Sequence, residues 1–64
     1  MTNMYFELEL VLGGEIAQVQ SYNLVTAACQ DGCRFRKVFD RVELYLVEGD
    51  RRLLLHTWTG KGGN

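Results

Sequence analysis

Few side chains in this sequence have chemistry to offer. Cys29, Cys33 and His56 are the soft ligands of the 64-residue chain. The two cysteines stand four residues apart, the spacing at which one helix face would present two thiolates. A closed structural zinc site takes four ligands, so three fall short and no metal is assigned. Gly32 also argues against a helix running through both cysteines, and the pair reads as buried free thiols. No serine accompanies His56, and nothing in the spacing makes it the base for a cysteine nucleophile. It reads instead as a sheet residue opposite Glu43, where the neighbouring carboxylate would favour its charged form. Gly60-Lys61-Gly62-Gly63 has the glycines and lysine of a phosphate loop, but Gly62 occupies the place of the required Ser or Thr and no helix can follow. The expectation is a protein without cofactor, and not an enzyme.

Arg34, Arg36, Lys37 and Arg41, with Phe35 and Phe39 interleaved, form the one basic segment. Cations along a backbone and aromatics under bases are the ingredients of nucleic-acid binding, so this is the alternative function. Composition opposes it. Seven Lys or Arg against eight Asp or Glu give a net charge of -1, and the isoelectric point is about 5.7, where nucleic-acid binding domains are clearly basic. An acidic protein is the other partner this segment could take through Arg34, Arg36 and Lys37. Charge is unevenly spread: the first thirty-two residues sum to -4 and the remainder to +3, which predicts a dipolar surface.

These residues must be positioned by a small set of elements. Residues 5 to 12 alternate apolar and charged through Phe6, Glu7, Leu8, Glu9 and Leu10, the period of a half-buried strand. Gly13-Gly14 then supplies a tight reversal. Across it Leu10 should face Ala17 and Leu8 face Val19 on one side, with Glu9 facing Gln18 and Glu7 facing Gln20 on the other. A second reversal at Gly49-Asp50 should place Leu46 opposite Leu53, Leu44 opposite Leu55 and Val42 opposite Thr57. Its other side pairs Tyr45 with Leu54, Glu43 with His56 and Arg41 with Trp58. Between the hairpins, Ser21 to Gln30 reads as a short helix capped by Ser21 or Asn23 and stopped by Gly32. Residues 33 to 41 fit either a helical stripe or an edge strand.

The expected fold is therefore a single α+β domain over residues 1–58, in the order β-β-α-β-β. An antiparallel sheet has one helix packed on its leucine face, and residues 59–64 form a glycine-rich tail. The alternative is β-α-β-β with a longer helix from Glu15. Two cysteines without an export signal point to the reducing cytosol, and no apolar run approaches the ~20 residues of a membrane span. One ten-residue helix cannot cover both faces of four strands. Arg41, Tyr45, Leu54 and Trp58, gathered on the uncovered face, are thus the expected anchors for a protein partner or a second copy in a homodimer. The expected function is a small interaction module or inhibitor. Accessory proteins of phage or plasmid origin that block a host complex have this size, an analogy of scale alone.

Overall fold

The computed structural model describes residues 3–60. Strand β1 (Met4–Leu12) and strand β2 (Glu15–Tyr22) form the first hairpin; helix α1 (Val25–Phe35) follows; strand β3 (Arg41–Glu48) and strand β4 (Arg51–Thr59) form the second. All pairings are antiparallel, and the sheet order is β2-β1-β3-β4. This is the expected β-β-α-β-β domain, and the alternative with a helix from Glu15 is excluded because Glu15 opens β2. Both reversals use left-handed backbone where glycine permits it, with φ of 64° at Gly13, 82° at Gly14 and 63° at Gly49. No helix among the described residues is long and apolar enough to cross a membrane.

The centre of the sheet is the β1–β3 pair. Leu8 lies opposite Leu44 and Leu10 opposite Val42, and with Ala28 of α1 these four make the fully buried core. Phe6, Tyr22, Phe35, Phe39 and Trp58 pack around it, Phe35 and Phe39 edge-on with centroids 6.0 Å apart. The leucine face is thus the helix face.

Each outer strand departs from the expected register by one extra residue. In the first hairpin Val11 still opposes Ile16, but Leu10 opposes Gln18, so Ala17 is the inserted residue of a β-bulge. From there on Val19 faces Glu9 and Gln20 faces Leu8, which reverses the sides expected for Val19, Gln18 and Gln20. In the second hairpin Tyr45 opposes Leu54 as expected, but Leu44 opposes His56, so Leu55 is the inserted residue. His56 and Trp58 therefore share the helix face with Leu44 and Val42. Both bulges have the same physical reason. They turn an aromatic, Tyr22 in β2 and Trp58 in β4, onto the core, where an aromatic side chain can bury about 150–250 Å².

Helix α1 begins after Leu24, whose backbone is extended and which offers no side-chain cap. Ser21 is still in β2, so neither expected cap is used. Nor does Gly32 end the helix, which continues to Phe35. The glycine has a packing role instead: a Cβ built on it would lie 2.6 Å from Cη2 and Cζ3 of the Trp58 ring. The helix runs over the sheet at a separation only a residue without a side chain allows.

The connection from α1 to β3 is a continued turn, with amides of Val38 and Phe39 donating to the Phe35 carbonyl at 2.9 Å. It ends in a junction at Asp40. The Asp40 amide donates to the Val11 carbonyl at 2.9 Å, the Gly13 amide donates to Asp40 Oδ2 at 2.8 Å, and the Gly60 amide donates to the Asp40 carbonyl at 2.7 Å. Residues 33–40 are thus the helix end and a tied loop, and Arg41 opens β3, an inner strand and not an edge one. Thr59 belongs to β4 and Gly60 is held in place, so the expected tail loses its first two residues to the domain; residues 61–64, with the rest of the Gly-Lys-Gly-Gly segment, lie outside the described residues.

Candidate interaction surface

On the face away from α1, the side chains form a charged row. Glu9 and Glu43 stand directly opposite one another in the β1–β3 pair, an arrangement that repels unless cations intervene. Two arginines do so. From β4, Arg52 reaches across β3 to β1, its Nη2 lying 2.6 Å from Glu9 Oε2 and 3.3 Å from Glu7 Oε1. On the way its guanidinium rests over the Tyr45 ring, 4.0 Å from the centroid. Arg41 Nε lies 3.1 Å from Glu43 Oε2, and the Tyr45 hydroxyl donates to Glu43 Oε1 at 2.9 Å. Burial first, and then that hydrogen bond, hold the Tyr45 hydroxyl above its ordinary range, while the bond to Glu9 raises Arg52.

The expected anchors are thereby divided. Arg41, Tyr45 and Leu54 do share the outer face, but Arg41 and Tyr45 are engaged with Glu43 and Arg52. Trp58 is on the other side of the sheet, half-buried against Gly32, with His56 edge-on to it at 4.6 Å between centroids. The expected pairs of Arg41 with Trp58 and of Glu43 with His56 do not form: Thr59 and Thr57 occupy those positions. An outer face knit by ion pairs does not need a protein cover, which removes the premise that a second helix or a partner must lie over it. The same pairing spends much of the expected dipole, since the acids of β1 are met by Arg52 from the basic half of the chain.

The basic segment is likewise split. Arg34 Nη1 lies 3.3 Å from Asp31 Oδ1 and Arg41 is held by Glu43, which leaves Arg36 and Lys37 exposed and without an ion pair among the described residues. Asp31 also accepts from the Tyr22 hydroxyl at 2.6 Å, tying α1 to β2. Burial and this bond push the Tyr22 pKa up to about 12.

Cys29 and Cys33 are exposed free thiols one helical turn apart, where burial was expected, and no group of three or more metal-ligating side chains occurs among the described residues. A shallow cleft between the ends of β1 and β2 is lined by Asn3, Met4, Tyr5, Ser21, Tyr22 and Asn23, a set without carboxylate, imidazole, thiol or amine.

What remains unsatisfied is the edge of the sheet at β4. Leu53, Leu54 and Leu55 are 60%, 49% and 41% exposed. They sit on a nine-residue terminal strand whose free side receives no backbone hydrogen bond among the described residues. The other edge, β2, alternates Ile16 and Val19 with Gln18 and Gln20 and is more polar. Leu54 was an expected anchor. Leu53 and Leu55 were missed, although three consecutive leucines break the strand alternation and so mark a place where both sides of the sheet are apolar. Comparison with family models, with curated proteins and with solved structures found no match to this chain.

Proposed function

We propose that this protein is a non-enzymatic interaction module of the cytoplasm that docks through the edge of β4 onto a protein partner. The partner adds a strand to the sheet. Main-chain hydrogen bonds supply affinity in such β-augmentation, and side-chain pockets supply specificity. One observation carries the reading: three consecutive exposed leucines on an uncovered edge strand. Such an edge is an aggregation hazard that proteins blunt with charges, proline or a covering segment. Here Arg51 and Arg52 stand at one end and a bulge at Leu55 interrupts the strand, but the three leucines are left exposed. Leu54 remains an anchor from the sequence reading, with Leu53 and Leu55 added. Trp58 becomes the residue that fixes β4 to the helix from behind.

The nucleic-acid alternative is weaker, because Arg34 and Arg41 are already neutralised within the chain. A photoreactive residue at position 54 tests the docking edge. It should crosslink a protein in cells where the same residue at position 18, on the opposite edge, does not, and Leu53→Lys with Leu55→Lys should abolish that crosslink without loss of fold. Capture unaffected by the two lysines would refute docking through β4.

A further inference from the structure

The unpaired charges of the folded chain are not scattered, and their placement says what the added strand must carry. Most acids are already used: Glu7 and Glu9 by Arg52, Glu43 by Arg41, Asp31 by Arg34, and Asp40 by the Gly13 amide. Glu15 is on β2, at the opposite edge. Of the cations, Arg36, Lys37 and Arg51 are exposed and without an ion pair among the described residues; Arg51 opens β4, whereas Arg36 and its neighbour Lys37 lie in the turn after α1, beside the residue that follows β4. The chain leaving β4 packs there against the helix end so tightly that a Cβ on Gly60 would fall 2.4 Å from the Arg36 carbonyl oxygen. The other end of β4 is mixed, with Glu48 and Asp50 beside Arg51 at the hairpin tip. The edge is thus apolar at its centre and basic at one end.

We infer that the partner strand is amphipathic, with apolar side chains against Leu53–Leu55 and acidic residues at the end that lies beside Arg36 and Lys37. This rests on the docking edge proposed above and adds the chemistry of its occupant. Charges at the rim of an interface steer encounter and reject wrong partners more than they add affinity. The acidic end would therefore set orientation and choice, with the leucines and the backbone ladder holding the strand.

Trp58 is the sole tryptophan of the 64-residue chain and lies on β4, so its emission reports occupancy of the edge. Three peptides serve as probes: Glu-Glu-Val-Thr-Val-Thr-Val, its reverse Val-Thr-Val-Thr-Val-Glu-Glu, and the first with Lys-Lys in place of Glu-Glu. One acidic peptide should bind, the one that binds giving the direction of the added strand, and the lysine peptide should not. The double variant Arg36→Gln, Lys37→Gln should weaken the acidic peptide about tenfold, and raising salt from about 50 mM to about 500 mM should do the same in the unaltered chain. Equal binding of acidic and lysine peptides would overturn the charge inference and leave edge docking standing. If no peptide binds at millimolar concentration, edge docking falls and the inference with it. A dimer in solution with β4 amides protected from exchange would also overturn both, the edge then being taken by a second copy. Binding of an oligothymidylate to the same edge in place of the acidic peptide would overturn the assignment to a protein strand.

Discussion

Gly32 is the residue whose role differs most from its sequence signal. Glycine costs a helix interior about 1 kcal/mol relative to alanine, yet here it lies mid-element against an indole. Gly32→Ala should displace Trp58, shift its emission to the red and lower stability in urea, because overpacking costs about 1–3 kcal/mol and outweighs the gain in propensity. In a Trp58→Leu background the same substitution should instead stabilise, since only the propensity gain is left; destabilisation of equal size in both backgrounds would refute the packing role. Tyr22 gives a second test. Its folded pKa of about 12 exceeds the ordinary value of 10.0, so the folded state holds the proton more tightly. The resulting stability is complete below pH 10 and is lost as pH climbs from 10 toward 12. Urea titrations of Tyr22→Phe should show a flatter decline over that window than the parent chain.

At the level of elements, the bulges at Ala17 and Leu55 decide which side chains meet. Inserting one alanine between Leu55 and His56, with the turn at Gly49 and the bulge kept, should carry Trp58 to the outer face. The cost is about 1.5–3 kcal/mol of lost apolar burial, and the indole should become open to acrylamide quenching. An indole as protected as before would mean that the strand had absorbed the insertion elsewhere. These bulges mark the limit of what the sequence discloses. The alternation of Phe6 to Leu10 and the glycines at 13, 14 and 49 are local signals, and they place four strands and two turns correctly. A bulge answers to a distant demand, that Tyr22 meet Asp31 and Trp58 meet Gly32, and no spacing within β2 or β4 announces it. The same holds for the site. Leu54 was legible as an exposed apolar residue, but β4 becomes an edge only through β1 pairing with β3, a contact between residues far apart in the chain. Gly32 misled for the opposite reason: its usual local meaning was overruled by the ring above it.

For the molecule as a whole, stability must come from a slender core. Below roughly 70–80 residues one apolar cluster rarely yields more than a few kcal/mol, and the buried apolar set here is Leu8, Leu10, Val11, Ala28, Val42, Leu44 and Val47. A domain so marginal gains from anything that stops its parts from loosening separately. Asp40 bonds to the β1 backbone, to the first reversal and to the residue that follows β4, so neither outer margin of the sheet can lift at that end without straining the same fastener. Opening there becomes a shared event. The amides of Gly13 and Gly60, at opposite margins, should exchange with solvent deuterium at similar rates in the parent chain, and Asp40→Ala should release Gly13 sooner while Gly60 keeps its main-chain acceptor. Unequal protection before the substitution would mean that the margins breathe independently. Shared opening also bears on a protein that offers one margin to a visitor: a strand laid along β4 would quieten the far hairpin as well, so that occupancy at one side could be sensed at the other with no change of shape.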